Sequence, residues 1–124
     1  GNNYPLSFNR KEEKDHGEGG NIIGAKPTGN VLIIDDVLSA GTAGRESIET
    51  ILNLGATPNC FIVGLDRQEK GNSDLSSSSE LSAEFNIKVE SIVNLDDLIS
   101  FVTNDSKYFE FLPNLNNYRE KWGA

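Results

Sequence analysis

No stretch constrains the fold of this chain more than Val31-Leu32-Ile33-Ile34, four branched apolar residues in a row that stop at Asp35-Asp36. An apolar run without alternation predicts a strand buried on both faces, as in a parallel sheet. A small-residue turn, Ser39-Ala40-Gly41-Thr42-Ala43, follows. A helix is then predicted over Gly44–Leu54, with Ile48, Ile51 and Leu52 on one stripe and Gly55 ending it in the left-handed region. Cys60–Leu65 reads as a second buried strand ending at Asp66-Arg67, and Ile87–Val93 as a third, with Ile87, Val89 and Ser91 facing one way. Shorter helices are predicted over Glu80–Phe85 after Ser79 as N-cap, over Leu95–Val102 from an Asn94/Asp97 capping box, and over Asn114–Trp122 with Leu115, Tyr118 and Trp122 on one face. Strands alternating with helices make the fold class α/β with a parallel sheet.

The 124 residues allow one domain, with enough length for a hydrophobic core. Eleven Lys+Arg against 19 Asp+Glu give a net charge of −8, which argues against a general nucleic-acid binder or docking on an anionic membrane. No apolar run approaches the ~18 residues of a membrane span, and no signal-peptide pattern opens the chain. The one cysteine, Cys60, forms no internal disulfide and fits a reducing, cytoplasmic setting. Mid-strand and apolar-flanked, it reads as a buried packing residue. Residues 1–30 are polar and glycine-rich, and predict a short extended piece around Leu6–Arg10 followed by a mobile loop.

The segment from Val31 to Ala43 carries the most chemistry. A buried strand delivers two carboxylates to the carboxyl edge of the sheet, where ligands bind in open α/β folds. The small residues behind them enter a helix whose first N–H groups are unpaired and lie at the positive end of the helix dipole, a cradle for phosphate. Ser39 and Thr42 add hydroxyls, and Gly41 permits close approach and unusual dihedrals. Adjacent acids repel phosphate but suit polyol hydroxyls or hydrated Mg²⁺. The combination calls for a sugar phosphate. Two adjacent acids alone would be a solvated strand end; the whole pattern is far more specific. It resembles the phosphoribosyl diphosphate (PRPP) signature of the type I phosphoribosyltransferases, and it is no Walker P-loop, since no Gly-Lys-Ser/Thr occurs.

A second group lies in residues 9–21. Arg10, Lys11, Lys14 and His16 fall within one heptad, and Gly17, Gly19 and Gly20 follow. Alone, such a mixed-charge run is a solvated surface. In an acidic chain that binds a diphosphate, it can supply local cations as a mobile loop that closes and excludes water. The run Arg10-Lys11-x-x-Lys14-Asp15-His16-Gly17-Glu18-Gly19-Gly20 resembles the catalytic loop of the orotate phosphoribosyltransferases. A third group, Asp66-Arg67-Gln68-Glu69-Lys70, follows the second strand. Arg67 offers a planar fork for a carboxylate; the plain alternative is a surface arginine paired with Asp66 or Glu69. Gln68, Glu69 and Lys70 read as solvated. This stretch again resembles the orotate enzymes.

The resemblance implies a partial type I phosphoribosyltransferase (Rossmann-like) fold and a single domain over residues 1–124. Its mobile catalytic loop spans residues 9–21 and its PRPP motif residues 31–43. It implies transfer of the phosphoribosyl group of PRPP to orotate, giving orotidine 5′-monophosphate and pyrophosphate in de novo pyrimidine synthesis. Mg²⁺ is the cofactor, held mainly by PRPP rather than by a protein metal site. Lys14, His16 and Asp36 are the implied catalytic residues. Arg10, Lys11, Lys14 and His16 meet the diphosphate, Asp35 and Asp36 the ribose hydroxyls, and Val37, Leu38, Ser39, Ala40, Gly41, Thr42 and Ala43 form the rest of the PRPP site. Ser39 and Arg67 touch orotate. The partners implied are these two small molecules, with no nucleic acid or membrane, and a second subunit: in a homodimer Arg10, Lys14 and His16 act in the neighbouring site. Ser39 departs mildly from the threonine of many members, with the hydroxyl retained. Family members carry roughly a further 90 residues ahead of the catalytic loop, as a domain of ordinary size would. The chain is therefore expected to be a C-terminal portion, weakly active or inactive alone. The alternatives are a PRPP-sensing module without catalysis and a sister transferase using another base.

Overall fold

The computed structural model describes residues 2–9 and 22–124. Two short strands, β1 (Ser7–Asn9) and β2 (Ile22–Gly24), pair antiparallel. Gly24 holds φ +99°, and a β-carbon there would fall 2.5 Å from the Leu6 carbonyl oxygen, so only glycine fits. β2 is a correction to the loop predicted through residue 30.

The main sheet has three parallel strands in the order β3 (Asn30–Leu38), β4 (Thr57–Asp66), β5 (Lys88–Asn94). Parallel neighbours need crossovers. Helix α1 (Thr42–Asn53) supplies the first and α2 (Ser77–Phe85) the second. Register runs from Asn30 opposite Thr57 to Leu38 opposite Asp66, and Asp66 in turn lies opposite Asn94. All three strands thus end level, on one edge. Helix α3 (Leu95–Asn104) starts there, followed by a 3₁₀ turn at Phe109–Phe111 and helix α4 (Leu112–Trp122).

The core lies on one side of the sheet. Phe61 and Val63 of β4 meet Ile48 of α1 and Leu81 of α2, with Leu38 and Ile87 at the margins. Burying each such side chain stabilises by about 1.5–3 kcal/mol. Gly44 makes this packing possible, because a β-carbon there would lie 2.7 Å from Phe61 Cε1 and 2.9 Å from Leu81 Cδ1.

Burial on both faces, predicted for the Val31–Ile34 run, is not observed. Along β3 exposure alternates, with Leu32 at 52% and Ile34 at 72%. Helices α1 and α2 cover the Ile33 side, while Leu32 and Ile34 on the other stay exposed until Leu38, at the end of the strand, is buried. Cys60, expected buried, is half-buried for the same reason.

Local signals decided several boundaries. Gly55 takes φ +78° after α1. The Asn94/Asp97 capping box forms at α3, with Asp97 N–H donating to Asn94 Oδ1 at 2.9 Å and Asn94 N–H to Asp97 Oδ2 at 3.0 Å. Helix α2 starts three residues earlier than predicted: its N-cap is Ser76, not Ser79, and the Ser79 N–H donates to Ser76 Oγ.

Candidate functional site

The level strand ends gather the residues singled out from the sequence. Asp35 and Asp36 lie inside β3, which continues to Leu38, not beyond its end as predicted. The strand's period of two sends them to opposite faces. Asp35 shares the helix-covered side with Ile33 and Val37, and Asp36 the open side with Leu32 and Ile34. Asp35 Oδ1 accepts the Asp36 N–H at 2.9 Å and Asp36 Oδ1 accepts the Val37 N–H at 2.7 Å. No described residue bonds either Oδ2, so each acid keeps a hard oxygen for a hydroxyl or a hydrated cation. Among the described residues no three His, Cys, Asp or Glu cluster closely enough to hold a metal by themselves.

Ser39 and Ala40 form the turn, and Gly41 is the N-cap of α1 with φ +81°. Thr42 and Ala43, predicted in the loop, form the first helical turn. No side chain caps this end and no acid sits in its first turn. The leading amides of α1 are therefore open to an anion at the positive end of the helix dipole. Neither the Ser39 nor the Thr42 hydroxyl has a hydrogen-bond partner among the described residues. Gly41 also packs tightly, since a β-carbon would meet Ser77 Cβ at 3.2 Å.

Arg67 joins this edge from β4. Its N–H donates to the Leu38 carbonyl at 3.1 Å, which puts it directly beside the start of the Ser39 turn. Its Nη1 lies 3.6 Å from Glu69 Oε1, and the Tyr118 hydroxyl donates to that same oxygen. Burial first, and then the Glu69 hydrogen bond, push the Tyr118 phenol above its usual 10.0. Glu69 and Gln68, read as solvated, are corrections. The Gln68 amide donates to Asp96 Oδ2 at 3.0 Å and accepts the Asp96 N–H at 2.9 Å, and Glu69 is mostly shielded. Lys70 is exposed as expected, its Nζ 3.5 Å from Asp74. The pairing of Arg67 with Glu69, the plain alternative for this arginine, is present. The contacts of Tyr118 with Glu69 and of Gln68 with Asp96 are not foreshadowed in the sequence, beyond the shared face of Leu115, Tyr118 and Trp122.

Arg10, Lys11, Lys14 and His16, with the rest of the loop expected over residues 9–21 apart from Asn9, lie outside the described residues.

The chain is similar to known proteins over nearly its whole length. The chain is 48% identical over 120 residues to the orotate phosphoribosyltransferase of Actinobacillus succinogenes, covering 97% of this chain and 56% of that protein. Identity is 49% over 124 residues to the enzyme of Marinobacter nauticus, covering 100% and 58%. This chain is homologous to the orotate phosphoribosyltransferases. No family model matches it. The crystal structure of the Francisella tularensis orotate phosphoribosyltransferase superposes with a TM-score of 0.71 at 34% identity, over 97% of this chain and 56% of that one. The Aeropyrum pernix orotate phosphoribosyltransferase superposes with a TM-score of 0.63 at 28% identity, over 82% and 54%. The fold is therefore that of the type I phosphoribosyltransferases. The chain spans a little over half the length of the curated relatives it matches. No helix among the described residues is long and apolar enough to cross a membrane.

Proposed function

We propose that this chain carries part of the site of an orotate phosphoribosyltransferase. It would join orotate to PRPP, yielding orotidine 5′-monophosphate and pyrophosphate, a step in the synthesis of UMP. The observation that carries this reading is the single sheet edge shared by an open helix N-terminus, two carboxylates and an arginine, in a chain whose relatives bear that name.

The chemistry follows from these groups. Amides of the Ser39–Ala43 segment hold the 5′-phosphate. Asp35 and Asp36 take the ribose hydroxyls from either side of β3. Arg67 pairs with the orotate carboxylate, and the Ser39 hydroxyl reaches the same base. The ring nitrogen attacks the anomeric carbon as pyrophosphate leaves, through an oxocarbenium-like state that needs no protein nucleophile. Arg10, Lys11, Lys14 and His16 meet the diphosphate, and Lys14 stabilises the charge that develops on it. Mg²⁺, held mainly by PRPP, would when bound supply further neutralisation of the same charge. Arg10, Lys14 and His16 act in the site of a second subunit, and the setting is cytoplasmic.

Steady-state kinetics on the full-length polypeptide test the reading. Arg67→Ala raises the KM for orotate far more than that for PRPP. Equal effects on both substrates sink the carboxylate assignment and favour a sister transferase with a neutral base. PRPP binding without loss of orotate favours the sensing module. The 124 residues alone are expected to consume little orotate, and full turnover would show that they suffice.

A further inference from the structure

The surroundings of Arg67 carry an inference that deepens this reading and rests on it. The Arg67 side chain is 46% exposed, whereas that of Glu69, 3.6 Å away, is 15% exposed. Glu69 is thus the shielded member and Arg67 the open one. The guanidinium has five N–H donors, so the contact at Nη1 leaves others for a ligand. A carboxylate beside a carboxylate-binding site would ordinarily repel its ligand. Here the Tyr118 hydroxyl occupies Glu69 Oε1 and the guanidinium balances its charge.

The segment that carries this group is pinned from three sides. Arg67 N–H bonds the Leu38 carbonyl at the end of β3. Lys70 N–H donates to the Trp122 carbonyl at 2.9 Å, and Ala124 N–H to the Gln68 carbonyl at 3.1 Å, tying in the end of α4. Gln68 holds both the N–H and the carboxylate of Asp96 at the start of α3, and Arg119 of α4 pairs with that carboxylate. Gln68 adopts φ +53° to make this turn, a conformation that L side chains rarely take. The backbone that carries Arg67 is fixed by these bonds, and the Glu69 contact biases the direction of the guanidinium, which lowers the ordering that ligand binding would otherwise cost.

We propose that Glu69 and Tyr118 are positioning residues that aim the Arg67 fork at an anionic substituent in the plane of the base. They belong to base recognition and not to phosphoryl or ribosyl binding.

The test is kinetic, on the full-length polypeptide, with orotate and PRPP varied separately and thermal midpoints recorded. Tyr118→Phe, which removes one hydroxyl, raises the orotate KM about three- to tenfold, the scale of one lost hydrogen bond. Turnover and the PRPP KM stay within about twofold. Glu69→Gln keeps an oxygen for Tyr118 but loses the charge, and gives a smaller rise than Glu69→Ala. Arg67→Ala is run in parallel. If Arg67→Ala raises the orotate KM while Tyr118→Phe and Glu69→Gln do not, the positioning role is overturned and the Arg67 reading stands. If both KM values move together in these variants, the role is merely structural and the proposal fails. If Arg67→Ala leaves the orotate KM unchanged, the underlying reading itself fails. Should Tyr118→Phe not fold, Glu69→Gln alone decides.

Discussion

Gly64 sits across the sheet from Asp36: a β-carbon at position 64 would fall 2.8 Å from the Asp36 carbonyl oxygen. Any side chain there must push β3 and β4 apart at the acidic pair. Gly64→Ala is therefore expected to lower stability by about 1–3 kcal/mol, the usual cost of overpacking, and to raise the PRPP KM of the full-length polypeptide. Chemical denaturation and substrate kinetics check the two effects separately. An unchanged unfolding midpoint would mean that the strands separate at no cost.

The loop cations make a kinetic prediction. Lys14→Ala should reduce turnover about 10²–10³-fold, the scale of losing one preorganised charge-stabilising donor, while PRPP binding survives. Binding calorimetry beside steady-state rates on the full-length polypeptide separates the two. Unchanged turnover removes Lys14 from the chemistry.

Glu80 gives the β4–α2 loop an acid sensitivity. Its carboxylate accepts the Ser73 hydroxyl, the Asn72 N–H at 2.9 Å and the Ser73 N–H at 2.6 Å. The Ser73 hydroxyl first, then the Asn72 N–H, hold its pKa below the usual 4.5. A lowered folded-state pKa means that the contribution is complete above 4.5 and is lost as pH falls through the lower folded value. Amide exchange at Asn72 and Ser73 should accelerate in that acid range and already be fast at neutral pH in Glu80→Ala. Equal protection in both proteins would refute the cap.

Tyr118 gives the opposite sign. Its folded pKa is raised by burial and then by Glu69, so its contribution is complete below 10.0 and disappears as pH rises through the higher folded value. An ultraviolet titration of tyrosinate should show a late phase, above the usual 10.0, that belongs to Tyr118. That last phase should be missing from Tyr118→Phe. A titration with no late phase would show that the phenol is not shielded.

The Asn94/Asp97 box predicts a plain stability effect. Asn94→Ala should cost about 1 kcal/mol, read from the denaturation midpoint, and Asp97→Ala a similar or smaller amount. A null result would mean that α3 is held by Leu95 and Val102 alone.

What the sequence revealed was local. The Asn94/Asp97 box, the Gly55 stop and the three apolar strands each depend on residues a few positions apart, so their patterns were legible. What stayed hidden was set by distant partners. β3 runs through Asp35-Asp36 because pairing with β4 continues to Leu38 opposite Asp66. β2 exists only through β1, across residues that show no periodic apolar signal. Four successive serines, Ser76–Ser79, offer themselves as N-cap, and only the packing of Ser77 under Glu69 selects Ser76: Ser77 N–H donates to the Glu69 carbonyl at 3.0 Å. Glu69 and Tyr118 meet across 49 positions, with nothing in either neighbourhood to announce it.

Adjacent identical residues invite the idea that one is a spare for the other. The pleat of β3 removes that redundancy. Because Asp35 and Asp36 leave the backbone toward opposite faces, neither carboxylate can swing into its neighbour's place without a one-residue slip of the strand, which would reverse every other side chain along it. The pair therefore has no mutational insurance. Loss of either acid should be rescued only by a change on its own face, so compensating substitutions for Asp35 would fall near α1 and α2, and those for Asp36 on the opposite side.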